Sequence, residues 1–275
     1  MRGRRRDMKA WRKLVGNIKG STKPVRIGIV GKYFATGNFT LADSYLSVIE
    51  ALKHAAWDLR AKPVLEWLNA EEYEKNPRAL KELSKYDGIL IPGGFGSRGV
   101  EGKIRAIRWC REKKIPYFGL CYGMQLATIE FARNVAGMKK ANTAEVDPKT
   151  PHPVIHIMPE QEAIVRAKKF GGSMRLGEYP CILAEGTVSR RAYGAPQVGE
   201  RHRHRYEVNN AYRERLREAG LTFAGTSPNG LLVEIIEIKG HPFFVGTQFH
   251  PEFKSRPLRP HPLFMAFVNA CLRRR

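Results

Sequence analysis

Phe118-Gly119-Leu120-Cys121-Tyr122-Gly123-Met124-Gln125 sets a cysteine directly after an apolar run and directly before a helix-forming one. The pattern Gly-x-Cys-x-Gly matches the strand-turn-helix elbow that presents a nucleophile at the carboxyl edge of a parallel sheet. Its two glycines let the backbone turn sharply without a Cβ clash. The following helix aims unpaired N–H groups and its positive dipole end at the sulfur, which favours thiolate over thiol. A free thiol titrates near ~8.5, so at neutral pH such help decides how much of the attacking species is present. The other reading of a lone cysteine is a buried structural residue. That reading suits Cys110, Cys181 and Cys271, which have no elbow.

Outward from the elbow, strands and helices alternate. The pattern predicts strands over Val25–Val30, Val64–Leu68, Gly88–Ile91 and Ile115–Leu120. It predicts helices over Leu41–Trp57, Pro77–Lys85, Gly102–Lys113 and Met124–Ala136, the second with proline near its start. Such alternation implies a doubly wound, mostly parallel central sheet flanked by helices, an α/β fold. From Met138 to Ser173 the periodicity fades among Pro148, Pro151, Pro153 and Pro159, as in an excursion over one face where lids and binding loops lie. The last third reads as strands at Leu221–Gly225, Leu231–Ile238 and Pro242–Phe249, closed by a helix over Pro262–Leu272. The simplest organisation is a basic extension over residues 1–24 and one α/β domain over residues 25–275.

With 43% hydrophobic residues the chain can bury a sizeable core. No apolar run approaches the ~20 residues of a membrane span, and no secretory signal is legible. Four cysteines without a Cys-x-x-Cys pair fit neither a disulfide framework nor a zinc site, so no metal and a cytoplasmic location are expected. The net charge of +22 is high, and residues 1–26 carry ten Lys and Arg against Asp7 alone. Basic tails suit a polyanionic partner. The N-terminal stretch nevertheless lacks the aromatic interleaving of a nucleic-acid reader, so solvated charge at a domain end is the preferred account.

A nucleophilic thiol needs a base, and the base an orienting group. Gly246-Thr-Gln-Phe-His250-Pro-Glu252-Phe253 supplies both in one turn after an apolar strand. Glu252 can reach around to the imidazole, fix its tautomer and stabilise the imidazolium. His-x-Glu alone is weak; joined to the elbow it makes a coherent Cys121, His250, Glu252 triad. Pro92-Gly93-Gly94-Phe95-Gly96 ends the neighbouring strand, and its backbone N–H, with that of Tyr122, can bind an oxyanion. The alternative, a phosphate-cradling loop, lacks Gly-Lys-Ser/Thr, and Gly31-Lys32-Tyr33 lacks the upstream glycine of a P-loop.

With these motifs in view the chain resembles the class I glutamine amidotransferases, which share Pro-Gly-Gly, Gly-x-Cys-x-Gly and a late His-Pro-Glu. Within them it is most similar to the glutaminase domains of CTP synthases, over about residues 25–272. The runs Ile91–Lys103, Gly123–Ala127, Glu130–Val135, Asp147–Val154, Met174–Gly177, Glu200–Asn209 and Phe249–Phe253 carry that resemblance. Trp11–Val15 resembles the family's interdomain linker helix. The resemblance implies a flavodoxin-like fold and Cys121 as nucleophile, His250 as base and Glu252 as its partner. It places Gly94, Tyr122, Gly123, Met124 and Gln125 at the glutamine, with the backbone of Gly94 and Tyr122 as oxyanion hole. Glu145 would meet the substrate's α-amine and Arg205 its α-carboxylate, since a zwitterion needs one anion and one cation at fixed separation.

The resemblance further implies glutamine hydrolysis with no cofactor in this domain and GTP as allosteric activator near Arg98, Lys103 and the Met138–Gly172 excursion. The synthetase domain of CTP synthase, which holds ATP and Mg and aminates UTP, would be the partner; it is expected to lie outside these 275 residues. The sequence departs from the family at Tyr122, where leucine is usual, and in an insertion around Thr36–Leu41. Readings left open are another class I amidotransferase, a γ-glutamyl hydrolase, and a non-catalytic regulatory or nucleic-acid-binding relic. The Arg201–Asn209 run argues against the first two, and an intact Cys, His and Glu against the third. For His202 and His204 the alternative is a metal site, which wants a third ligand at a recognised spacing.

Overall fold

Gly88-Ile-Leu-Ile91 and Tyr117-Phe-Gly-Leu120 are fully buried strands, continuous apolar runs of the kind that parallel sheets covered on both faces require. The computed structural model describes residues 7–31, 45–157 and 174–274. In chain order the described strands are β1 (Lys23–Gly31), β2 (Ala61–Asn69), β3 (Gly88–Ile91), β4 (Tyr117–Leu120), β5 (Ala141–Thr143) and β6 (His152–Ile157). They continue with β7 (Arg175–Leu183), β8 (Gln197–His204), β9 (Tyr206–Val208), β10 (Leu221–Thr226), β11 (Val233–Ile238) and β12 (Phe244–Thr247).

Nine of them form one sheet in the order β2-β1-β3-β4-β12-β11-β10-β7-β8. The first five strands of that order are parallel, as in flavodoxin-like sheets. From β12 onward every pairing is antiparallel. The sheet is therefore mixed: its parallel half carries the elbow, and an antiparallel wing extends it.

Alternate residues of a strand serve opposite faces. Phe118 packs edge-on against Phe243 and Phe264, with ring centroids 5.8 and 5.2 Å away, in the core beneath helices Leu46–Asp58 and Pro262–Arg273. Its neighbour Tyr117 points the other way, into the core under helices Val100–Glu112 and Tyr122–Asn134. Truncating a buried phenylalanine of this kind costs about 3–5 kcal/mol. Among the described residues no helix is long and apolar enough to cross a membrane.

Several expectations change. Residues 138–157 are not irregular: β5 and β6 join β9 in a three-stranded sheet. Their stability comes from a partner some fifty residues away, Ile155 pairing with Val208, which local periodicity cannot register. The hairpin β7–β8 has no apolar alternation to announce it, because β8 turns Glu200, His202 and His204 inward. Helix Ala70–Lys75 precedes the 3-10 segment Pro77–Lys85, each started by an asparagine side chain accepting a backbone N–H. The predicted helix over 41–57 is described from Leu46 to Asp58. The insertion around 36–41 and residues 158–173 of the excursion lie outside the described residues. Trp11–Val15 falls within helix Lys9–Gly20, which buries Leu14 and Asn17.

Candidate active site

Three adjacent parallel strands deliver the site at their carboxyl ends. Ile91 of β3 pairs with Gly119 of β4, and Leu120 of β4 with Thr247 of β12. The glycine loop, Cys121 and the Gln248–Glu252 segment therefore emerge side by side, where open α/β sheets bind ligands. Cys121 adopts φ 49 and ψ −99, a conformation rare for a residue with a Cβ. It is held there by its N–H to the Thr247 carbonyl (2.6 Å) and by the Gln125 N–H on its own carbonyl (3.1 Å). Gly123 must lack a side chain, because a Cβ there would stand 2.3 Å from the Ile91 carbonyl oxygen. This close approach sets the helix Tyr122–Asn134 directly behind the sulfur.

His250 Nδ1 lies 2.7 Å from Glu252 Oε1, both residues buried. A carboxylate only accepts, so Nδ1 carries the hydrogen and Nε2 is left for the reaction. Nε2 is itself buried and, among the described residues, makes no hydrogen bond. Burial works to keep the imidazole neutral, but the Glu252 carboxylate and the Cys121 sulfur outweigh it and hold its pKa well above the ordinary histidine range. Phe253 stacks on the ring at 5.2 Å between centroids. A Cβ at Gly93 would meet His250 Cε1 at 2.8 Å and Cys121 Cβ at 3.6 Å, so nucleophile and base share the space over that glycine.

The sulfur has two further neighbours that sequence reading missed. Gln248 Nε2 donates to it at 3.6 Å, and the thiol itself faces the Arg203 carbonyl at 3.9 Å. Gln248 is placed by Gln125, whose amide donates to Gln248 Oε1 (3.2 Å) and to the Tyr206 carbonyl (2.9 Å). The spacing could have pointed to Gln248, two residues before His250 in Thr-Gln-Phe-His. Nothing in the sequence shows that β8 buttresses both reacting groups, Arg203 facing Cys121 and the Arg201 carbonyl accepting from the His250 N–H at 2.8 Å.

Cys121, His250, Glu252, Gly94, Gln125, Glu145 and Arg205 all line one cleft of about 750 Å³. Tyr122, Gly123 and Met124 are buried instead, Met124 packing against Gly246, so only their backbone is placed for a ligand. Glu145 Oε1 accepts from the Gly96 N–H at 2.9 Å, and the Tyr122 hydroxyl donates to the Gly96 carbonyl at 2.7 Å. Lys103 is buried with its ammonium 5.4 Å from the centroid of the Tyr122 ring, and Arg98 is exposed beside Glu71. Of the two cations expected near GTP, Arg98 alone is at the surface.

His202 Nδ1 and His204 Nε2 are 3.1 Å apart, both buried, with His204 at the cleft lining. Burial first and the Arg175 guanidinium second push their pKa values down to about 2 and about 3, so both are neutral at ordinary pH. Arg175 in turn donates to Glu234 at 2.7 Å. Among the described residues no group of three or more His, Cys, Asp and Glu side chains could hold a metal ion. The pair is a buried polar brace on the inward side of β8.

Comparison with known proteins identifies the family. The family described as glutamine amidotransferase class-I matches residues 40–270. A CTP synthase of Rubrobacter xylanophilus is 56% identical over 265 residues, 96% of this chain and 46% of that protein. One from Caldanaerobacter subterraneus subsp. tengcongensis is 57% identical over 267 residues, 97% of this chain and 48% of that protein. The chain thus spans about half the length of the curated relatives it matches. Among solved structures, the Trypanosoma brucei CTPS glutaminase domain with bound acivicin superposes with a TM-score of 0.83 at 39% identity, covering 90% of this chain and 94% of that one. A glutamine amidotransferase of Thermotoga maritima, 15% identical with a TM-score of 0.51 over 92% of this chain and 98% of that one, shares the fold alone.

Proposed function

The chain belongs to the class I glutamine amidotransferases, and on that premise we propose that it is the ammonia-producing half of a CTP-forming enzyme, acting on L-glutamine. The observation that carries this reading is the meeting of Cys121 and His250 over Gly93, with Glu252 fixing the tautomer that leaves Nε2 for the reaction. The Cys121 thiolate attacks the side-chain amide carbon of glutamine. The tetrahedral oxyanion meets backbone N–H groups of the Gly93–Gly94 turn and of Tyr122, whose helix N-terminus adds its dipole. As the carbon–nitrogen bond breaks, His250 passes its proton to the leaving nitrogen and ammonia departs. Water then gives a proton to His250 and attacks the γ-glutamyl thioester; the carbon–sulfur bond breaks and glutamate leaves. The thiolate–imidazolium pair is restored.

Glu145 and Arg205 line the cleft with opposite charges, which suits the α-ammonium and α-carboxylate of a free amino acid. The freed ammonia serves UTP amination on a synthetase domain, a partner for which the half-length coverage of the CTP synthase relatives speaks. GTP activation at the Arg98 surface and a cytoplasmic location belong to the same reading. The test is glutamate release from L-glutamine by the chain and by its Cys121→Ala variant. Release is expected to be slow in the chain alone, absent in the variant, and faster with a matching synthetase domain, UTP, ATP and GTP. Release undiminished by Cys121→Ala would end the triad reading.

A further inference from the structure

Both polar backbone groups of Gly96 are held by side chains. Its N–H donates to Glu145 Oε1 at 2.9 Å, and its carbonyl accepts from the Tyr122 hydroxyl at 2.7 Å. Gly96 sits at φ +77, a left-handed conformation, so the loop reverses at this residue and its two neighbouring peptides are set by these bonds. Tyr122 is itself buried, 1% exposed in the core, and its ring also reaches under Gly94, where an added Cβ would lie 3.7 Å from Cδ1. The buried Lys103 ammonium stands over the same ring.

Tyr122 directly follows the nucleophile in sequence and opens its helix. One residue is therefore joined to both walls of the oxyanion site: to the elbow through its backbone, and to the glycine loop through its hydroxyl and ring. We propose that the Tyr122 side chain is a positioning residue that fixes the Pro92–Gly96 loop against the elbow and so holds the oxyanion donors in register. The proposal rests on the glutaminase reading and deepens it. It also gives the clamp a division of labour. Glu145 is the anion available to the substrate's ammonium, so one jaw of the clamp is shared with the ligand; the Tyr122 jaw is buried and stays closed when Glu145 is engaged.

The experiment is Tyr122→Phe, which keeps the ring and removes only the hydroxyl. Three readouts are needed: kcat and KM for glutamate release, the melting temperature, and the rate at which iodoacetamide alkylates Cys121. Alkylation displaces iodide at a saturated carbon and develops no oxyanion, so it reports the thiolate without the hole. The expected result is a kcat lower by about tenfold, short of the ~hundredfold that a 1 Å misplacement can cost. KM and alkylation rate should be unchanged, and the melting temperature should fall by no more than the few degrees expected of one lost hydrogen bond. A variant as fast as the parent overturns the proposal and leaves the glutaminase reading intact. So does a variant in which the alkylation rate falls together with kcat, or whose melting temperature falls by more than about 8 °C, since either marks general disruption. A parent chain that is alkylated at Cys121 yet never releases glutamate, even with the synthetase domain, overturns the glutaminase reading and this proposal with it.

Discussion

Gly93 lies under the His250 imidazole so closely that a Cβ on it would stand 2.8 Å from Cε1. Gly93→Ala should therefore fold and push the ring off the sulfur, lowering kcat by about a hundredfold for a shift near 1 Å. Gly123→Ala should behave differently, because its Cβ would meet a backbone oxygen, 2.3 Å away, that cannot swing aside. That variant should lose about 1–3 kcal/mol of stability, read from denaturant unfolding. A Gly93→Ala enzyme with parental kcat would mean that the imidazole does not occupy this place during turnover.

Arg205 is half-buried on the cleft wall, beside His204. If it grips the substrate carboxylate, Arg205→Ala leaves a charged hydrogen bond unmade, worth about 1.5–3 kcal/mol. Michaelis constants for glutamine should then rise more than tenfold, with a smaller change in kcat. Steady-state kinetics across glutamine concentrations would decide, and a kinetically silent variant would return Arg205 to the solvated charge of its run.

Glu252→Gln removes the carboxylate that fixes the His250 tautomer and helps raise its pKa. The amide can present N–H as well as oxygen to Nδ1, so Nε2 is no longer reserved for the sulfur. General acid–base catalysis contributes roughly 10²–10⁴-fold, and losing its alignment should take about a hundredfold of that from kcat. The pH range over which imidazolium persists should also narrow from its alkaline side, visible in the ring-proton NMR titration of His250. An unaltered titration would separate Glu252 from the imidazole.

Stability should fall on acidification through a window set by two buried rings. His202 and His204 keep pKa values of about 2 and about 3 in the fold, whereas an unfolded chain binds those protons near ~6.5. Below about 6.5 the unfolded state therefore takes up protons that the folded state refuses, and stability declines until about pH 2. His250 has the opposite sign: its raised pKa adds stability that is complete below ~6.5 and is lost as pH rises through the folded value. Denaturant midpoints between pH 7 and 4 should fall, and His202→Gln should flatten that slope. Equal slopes in parent and variant would count against a neutral His202.

The parallel half of the sheet was legible because its signals are local. Apolar runs at Gly88–Ile91 and Tyr117–Leu120 need both faces covered, and the glycines of the elbow and the loop mark where chain passes close to chain. Cys121, His250 and Glu252 were picked out by the glycine elbow and the His-Pro-Glu turn, each at the end of an apolar strand. What stayed hidden was held by distant or polar partners. β5 and β6 depend on β9, and β8 buries Glu200, His202 and His204, so its inward face reads as an outward one. The Gln125–Gln248–Cys121 relay joins residues 123 positions apart, and no periodicity encodes such a contact.

β8 ends the nine-stranded sheet among the described residues, yet its carbonyls at Arg201 and Arg203 face His250 and Cys121. Terminal strands open more readily than central ones, by local excursions that leave the rest of the molecule intact. Catalytic competence in this chain should therefore be lost on warming before the body that carries it melts. On gradual warming, turnover should fade while the far-ultraviolet circular dichroism of the parallel sheet is still whole. Whatever caps that outermost strand in a larger assembly would act as a thermostat for the reaction without touching glutamine.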